Sequence, residues 1–250
     1  MIDFDVDGRV GVVTLNRDPV NGLNDAWVAR LEEVLDGAEA QNIGVLHIRS
    51  ALKIFCGGAD LNQIRERFDW PVEDQLKSGR LYQEIFARLE SFPGVTLAEI
   101  NGAAFGGGLE LALACDLRVA SSRAKFSLPE VGLGLLPGAG GTQRLTRLCG
   151  RATALRMILG AEVVDAQEAL SRGIVHWVAE PQNLTTEAAA IVGRYAKMPG
   201  MAVSAAKAAI LAAGKAGADG FEMETSGLRG LFLSAETRAL VTAFLAHQKS

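Results

Sequence analysis

Three consecutive glycines, Gly106-Gly107-Gly108, run straight into the apolar stretch Leu109-Glu110-Leu111-Ala112-Leu113-Ala114-Cys115. Glycine is the residue that lets main chain approach main chain closely. A helix that opens on such a run has first-turn N–H groups that no capping side chain covers. The stretch before it, residues 95–100, reads as a strand ending at the Asn101-Gly102 turn, and residues 117–120 return as a strand after it. The chain is thereby constrained to strand, tight turn, apolar helix and strand in immediate succession. The exposed amides at the helix start favour negative charge. Gly107 and Glu110 are three residues apart, so an unbonded amide and a carboxylate face the same way on the first turn.

The same alternation extends over the first part of the chain. Residues 9–15 and 43–48 read as strands, and Leu23, Trp27, Leu31 and Leu35 recur every four residues on a helix opened by Asn24 or Asp25. A charged helix is expected from about residue 75 to residue 90, ending at Phe92-Pro93. After residue 140 helices dominate: Asp165-Ala166-Gln167-Glu168 is a capping box, Gly173 a stop, and residues 174–178 a last strand. From about Leu184 onward the pattern is helical, and Leu228, Leu231, Phe232, Leu240 and Phe244 need an apolar cover. The expectation is an α/β core over residues 1–190 and a helical region over 191–250.

Composition narrows the function classes. A chain of 250 residues, 49% apolar and 22% charged, buries a full core. The N-terminal segment is acidic and no uncharged apolar run approaches membrane-spanning length, so a soluble, cytoplasmic protein with no membrane partner is expected. A net charge of −4 leaves no basic footprint for nucleic acid. Cys56, Cys115 and Cys149 lack the spacing of a zinc site or a disulfide framework and are read as buried thiols. His47, His176 and His247 are read as strand-borne or surface residues, with no metal site expected.

A glycine cluster also serves plain turn chemistry, so competing motifs matter. Gly106 and Gly108 begin a G-x-G-x-x-G, but Leu111 stands where its last small residue belongs. There is no Gly-Lys-Ser/Thr ending of a P-loop and no G-x-S-x-G elbow. Glu110 sits in an apolar helix start, where desolvation raises a carboxyl pKa. Glu130, after Pro129, leads into the apolar, turn-rich segment 131–138. Taken singly, the first is also a dipole-stabilised helix acid and the second a loop acid. Together they suit general acid/base addition of water. A second glycine turn, Phe55-Cys56-Gly57-Gly58-Ala59-Asp60, can offer another backbone donor.

These segments together resemble the enoyl-CoA hydratase/isomerase (crotonase) family. The resemblance is carried by residues 55–61, by Ile100-Asn101-Gly102 through Asp116, and by Phe126-Ser127-Leu128-Pro129-Glu130 through Leu145. It implies a spiral of ββα units and a C-terminal helical region that mediates trimerisation, as a homotrimer or a dimer of trimers. The thioester carbonyl would be held by the N–H groups of Ala59 and Gly107. Glu110 would position and deprotonate the attacking water, Glu130 would exchange the proton at the α-carbon, and the N–H of Gly138 would help hold the water.

Both acids being present, the resemblance implies an enoyl-CoA hydratase acting on an acyl-CoA thioester. The alternative is a family isomerase, decarboxylase or lyase using the same oxyanion hole. Coenzyme A is part of the substrate, and no cofactor or metal is implied. Lys53, Phe232 and Lys249 are the implied coenzyme A contacts. Asp18 stands where relatives often carry a basic residue, and Glu99 where they carry a small one, either lining the site or pairing with a nearby base.

Overall fold

The computed structural model describes residues 1–213 and 217–247. Strand β1 (Ile2–Asp7) pairs antiparallel with β2 (Val10–Leu15). Helix α1 (Asp25–Ala40), capped by the Asn24 side chain on the Trp27 N–H, crosses over to β3 (Val45–Ser50), which lies parallel to β2. Two further helices, α2 (Leu61–Arg67) and α3 (Val72–Glu90), lead to β4 (Val95–Ile100), parallel to β3.

The chain then leaves this sheet for the short strand β5 (Ala104–Phe105) and helix α4 (Gly107–Ala114), and returns as β6 (Leu117–Ser121) parallel to β4. Strand β7 (Lys125–Ser127) follows, then α5 (Gly141–Leu159), β8 (Val164–Asp165), α6 (Ala166–Ser171), β9 (Trp177–Ala179) and α7 (Leu184–Ala196). One sheet has the order β1-β2-β3-β4-β6-β9 and a second the order β5-β7-β8. From β4 onward the chain passes back and forth between the two sheets with helices between the strands, the expected α/β spiral.

The parallel strands β3, β4 and β6 are covered on both faces, which is why β4 is buried at every position and reads as a near-continuous apolar run. Between α1 and α3, Trp27 meets Phe86 edge to face with ring centroids 6.3 Å apart. The loops that carry the glycine motifs leave the C-terminal ends of β3 and β4. That is the side of a parallel sheet on which ligands bind.

The compact unit Met1–Ala196 holds all of these elements, and a second unit begins at Lys197. The boundary expected at residue 190 lies inside α7. The second unit comprises α8 (Gly200–Ala212), α9 (Gly220–Leu233, capped by Asp219) and α10 (Ala235–His247). No helix among the described residues is long and apolar enough to cross a membrane.

The short strands β5, β7 and β8 have no counterpart in the sequence reading, and the two edge strands of the larger sheet also differ from it. Ile2, Phe4 and Val6 alternate with Asp3, Asp5 and Asp7 as a strand that acidity alone concealed. The last strand starts at Trp177 instead of residue 174, because the N–H groups of Ile174 and Val175 bond back to the Ala169 carbonyl and close α6. Those two side chains are buried without joining a ladder.

The close approach of the two glycine loops makes a direct prediction. A Cβ on Gly108 would lie 2.3 Å from the Cys56 carbonyl oxygen. Gly108→Ala is therefore expected to cost about 2–4 kcal/mol in urea denaturation. A loss within about 0.5 kcal/mol, the range of an ordinary surface change, would contradict the tight contact.

Candidate active site

The start of α4 and the loop at residues 57–60 meet through main chain. The Phe105 N–H donates to the Cys56 carbonyl at 3.0 Å, and the Leu23 N–H to the Gly58 carbonyl at 2.8 Å. Gly58 has φ +102°, and a Cβ there would be 2.8 Å from the Phe105 oxygen and 3.4 Å from the Gly107 nitrogen. A Cβ on Gly107 would lie 3.6 Å from the Ala59 nitrogen. The amides of Ala59 and Gly107 are thus neighbours, and neither donates a hydrogen bond among the described residues. Gly107 is the first residue of α4, so its N–H has no carbonyl one turn back to meet. Two such donors side by side can stabilise an oxyanion.

Glu110 projects from the first turn of α4 and is only 3% exposed. Its Oε1 accepts the Ala139 N–H at 2.8 Å and the Gly141 N–H at 2.7 Å. Burial pushes its pKa up to about 7; the charge of Glu130 adds to the rise, while the two amides and Arg144 oppose it. Glu130 opens the 3₁₀ turn Glu130–Leu133 and is half-buried, and burial raises its pKa as well. Its Oε2 is buried with no hydrogen-bond partner among the described residues. Oε1 lies 3.1 Å from where a Cβ on Gly106 would stand, so the carboxyl abuts the start of α4. Two carboxyls whose burial disfavours ionisation, one with a free buried oxygen, are suited to taking up and releasing protons.

A cavity of about 760 Å³ joins these groups: Ala59, Gly107, Glu110, Glu130 and Gly138 all line it. The Gly138 carbonyl accepts from Gln83 Nε2 at 2.8 Å, and its N–H donates to nothing among the described residues. The remaining expected contacts lie elsewhere. Lys53 is exposed and is not part of the cavity wall. Phe232 is an exposed residue of α9 in the second unit, and Lys249 lies outside the described residues. Asp18 lines the cavity beside Arg17, whose guanidinium bonds Asp60 Oδ2 and the Gly22 carbonyl, each at 2.7 Å.

Glu99 does not line the cavity; its Oε2 lies 2.9 Å from His47 Nε2 and its Oε1 accepts from Thr185 at 3.0 Å. Burial alone would raise its pKa, but His47, Thr185 and Arg49 together bring it below the usual value. Cys56 is fully buried and its pKa is pushed up to about 12, so it holds its proton and is no nucleophile.

Arg144 is the site residue that sequence reading missed. It is buried, bonds Glu90 through Nε at 3.1 Å and Nη2 at 2.9 Å, and donates from Nη1 to the Ala139 carbonyl at 2.8 Å. Ala139, whose N–H holds Glu110, is thereby also held through its carbonyl. A buried-helix arginine one turn after Gly140-Gly141 was the available signal.

The family model described as enoyl-CoA hydratase/isomerase matches residues 5–250. A protein of Clostridium acetobutylicum named short-chain-enoyl-CoA hydratase is 36% identical over 97% of this chain and 94% of its own length. An Escherichia coli protein named 2,3-dehydroadipyl-CoA hydratase is 40% identical over 81% of this chain and 78% of its own. The crystal structure of an enoyl-CoA hydratase from Bacillus anthracis superposes with a TM-score of 0.89 at 33% identity, covering 98% of this chain and 96% of that one.

The raised pKa of Glu110 predicts a pH dependence of stability. The folded state keeps its proton between the ordinary value of 4.5 and about 7, where the unfolded state has released it. The folded state binds more protons there, so stability falls as pH rises through that window. Glu110→Gln removes this titration and is expected to gain stability relative to the parent between about pH 5 and about pH 8. Parallel urea curves at both pH values check this, and a constant difference between the two proteins would argue against a protonated Glu110.

Proposed function

The chain belongs to the enoyl-CoA hydratase/isomerase family, and from that premise we propose that it is an enoyl-CoA hydratase. The reaction is the reversible syn addition of water across a 2-trans-enoyl-CoA, giving the 3-hydroxyacyl-CoA. The observation that carries this reading is the meeting, in one cavity, of two unpaired amides and two carboxyls whose pKa values are raised.

The thioester oxygen accepts from Ala59 and Gly107, and their donation strengthens as the carbonyl becomes an enolate. Each such donor lowers the barrier by a few kcal/mol. Ionised Glu110 takes a proton from water as its oxygen bonds to the β-carbon. The amides of Ala139 and Gly141 hold Oε1, leaving Oε2 for the water. Protonated Glu130 delivers its proton to the α-carbon, and the π electrons of the double bond supply that new C–H bond through the enolate. The acids exchange one proton to return to their starting states. The free N–H of Gly138 orients the water. Coenzyme A is the carrier of the acyl group, and no step calls on a metal or redox cofactor.

Exposed Lys53 is suited to the coenzyme A phosphates, and Phe232 and Lys249 are the contacts offered by the C-terminal region. Phe221, Phe232 and Phe244 are 82%, 68% and 64% exposed in the single chain, which supports a homotrimer or a dimer of trimers that covers them.

Glu110→Gln and Glu130→Gln are each expected to lower kcat for crotonyl-CoA hydration by about 10²–10⁴. Loss of the enoyl-thioester absorbance measures hydration, and deuterium uptake at the α-carbon of a saturated thioester measures the second proton step. Glu110→Gln should lose hydration and keep part of the exchange, whereas Glu130→Gln should lose exchange. Both activities surviving equally in both variants would refute the assigned roles.

A further inference from the structure

The wall of the cavity beyond the glutamates is built from α2 and α3, and it is not uniformly apolar. Helix α2 starts two residues after Ala59, at Leu61, and its last residue, Arg67, lies about 9 Å further along the axis. At the start of α2, Asp60 is tied to Arg17. At its end, Arg67 and Tyr82 both line the cavity, with the guanidinium carbon 5.8 Å from the Tyr82 ring. Tyr82 is the neighbour in sequence of Gln83, which bonds Gly138 beside Glu110. The two polar groups therefore line the same cavity as Arg17 and Asp18, at the opposite end of α2 from Asp60.

Arg67 is only partly used by the protein. Its Nη2 donates to Asp25 Oδ1 at 2.5 Å and to Gln63 Oε1 at 2.8 Å. Nε is buried without a partner among the described residues. The Tyr82 side chain, held protonated by burial with its pKa pushed up to about 12, hydrogen-bonds with Arg67 and Asp25 and so helps to fix the guanidinium. A guanidinium has five N–H donors, and the buried Nε–H of this one has no acceptor. A plain alkyl tail filling this end would cover that donor with carbon and leave it unpaired, which costs free energy. Ile64, Phe68, Leu133 and Leu136 supply apolar wall for the methylenes in between.

Resting on the hydratase reading of this same cavity, we propose that Arg67 selects acyl groups whose far end carries an oxygen acceptor. Asp25 already neutralises the arginine, so the shared chemistry is an acceptor oxygen, supplied by a hydroxyl or by a carboxylate. The site then rejects the unoxygenated chain of equal length because the buried Nε–H stays unsatisfied.

The test uses saturated thioesters, which cannot be hydrated, so binding is read apart from turnover. Hexanoyl-CoA, 6-hydroxyhexanoyl-CoA and adipoyl-CoA are titrated calorimetrically into the full-length protein, and crotonyl-CoA turnover is measured alongside. At least one oxygenated thioester is expected to bind about tenfold or more tightly than hexanoyl-CoA. A preference for the hydroxyl arm alone assigns a neutral acceptor, and for the carboxylate arm an anionic one. The preference should vanish in Arg67→Met, and also in Arg67→Lys, which keeps a cation beside Asp25 and loses the planar fork. Hexanoyl-CoA binding as tightly as both others, or a preference that survives both substitutions, overturns the proposal. Thioester binding with the predicted preference but no crotonyl-CoA turnover would sink the hydratase reading and leave the selectivity standing. Absence of any thioester binding would sink both.

Discussion

Everything at the site depends on two stretches of backbone coming closer than side chains permit. A Cβ on Gly108 would collide with the Cys56 carbonyl, and one on Gly58 with the Phe105 carbonyl. Without those atoms, hydrogen bonds zip residues 55–56 to residues 103–105, and the amides of Ala59 and Gly107, a little further along each segment, come to be unbonded neighbours. The donors are backbone groups set by the sheet-to-helix path, so they need no side-chain ordering when charge develops between them.

The acids are held by a different device. Glu110 is anchored through one oxygen by two amides of the turn that opens α5, and Arg144 clamps that turn through the Ala139 carbonyl. Burial and the neighbouring Glu130 resist ionisation more strongly than those amides favour it, so the carboxyl is rigid yet close to neutral pH in its proton affinity. A folded chain free of other demands would not bury such a pair; here the unfavourable electrostatics are local and the surrounding core offsets them. The contrast with Glu99 is instructive. Also buried, it is matched by His47 and Thr185, ends below its usual pKa, and has no access to the cavity.

Polar groups left over by the protein's own hydrogen bonding mark where a ligand completes the structure. Glu130 Oε2 and the amides of Ala59, Gly107 and Gly138 line the cavity, and the residue with the unpaired Nε, Arg67, lines the same cavity. In the proposed reaction this distribution would separate chemistry from selection, with the α4 start and the 130–141 segment acting on the double bond and α2 and α3 facing the rest of the acyl group.

Local conformational demand made much of this legible in the chain itself. Glycine runs, the Asn24 and Asp165 caps, the apolar β4 run and the placement of Glu110 and Glu130 in desolvating surroundings all follow from neighbours within a few residues. The same segments carried the family resemblance. Strand β1 escaped because its alternation was masked by three aspartates, and the start of β9 because its first amides are consumed by the end of α6. The sequence by itself thus determined which backbone groups would be unpaired and which acids would be desolvated. Only the tertiary structure decided who meets them: Ala139 and Gly141 are 29 and 31 residues from Glu110, Glu90 is 54 from Arg144, and Asp25 is 42 from Arg67. Those partnerships have no local signature, because they are set by how the helices pack on the sheet and not by the conformational preferences of either residue.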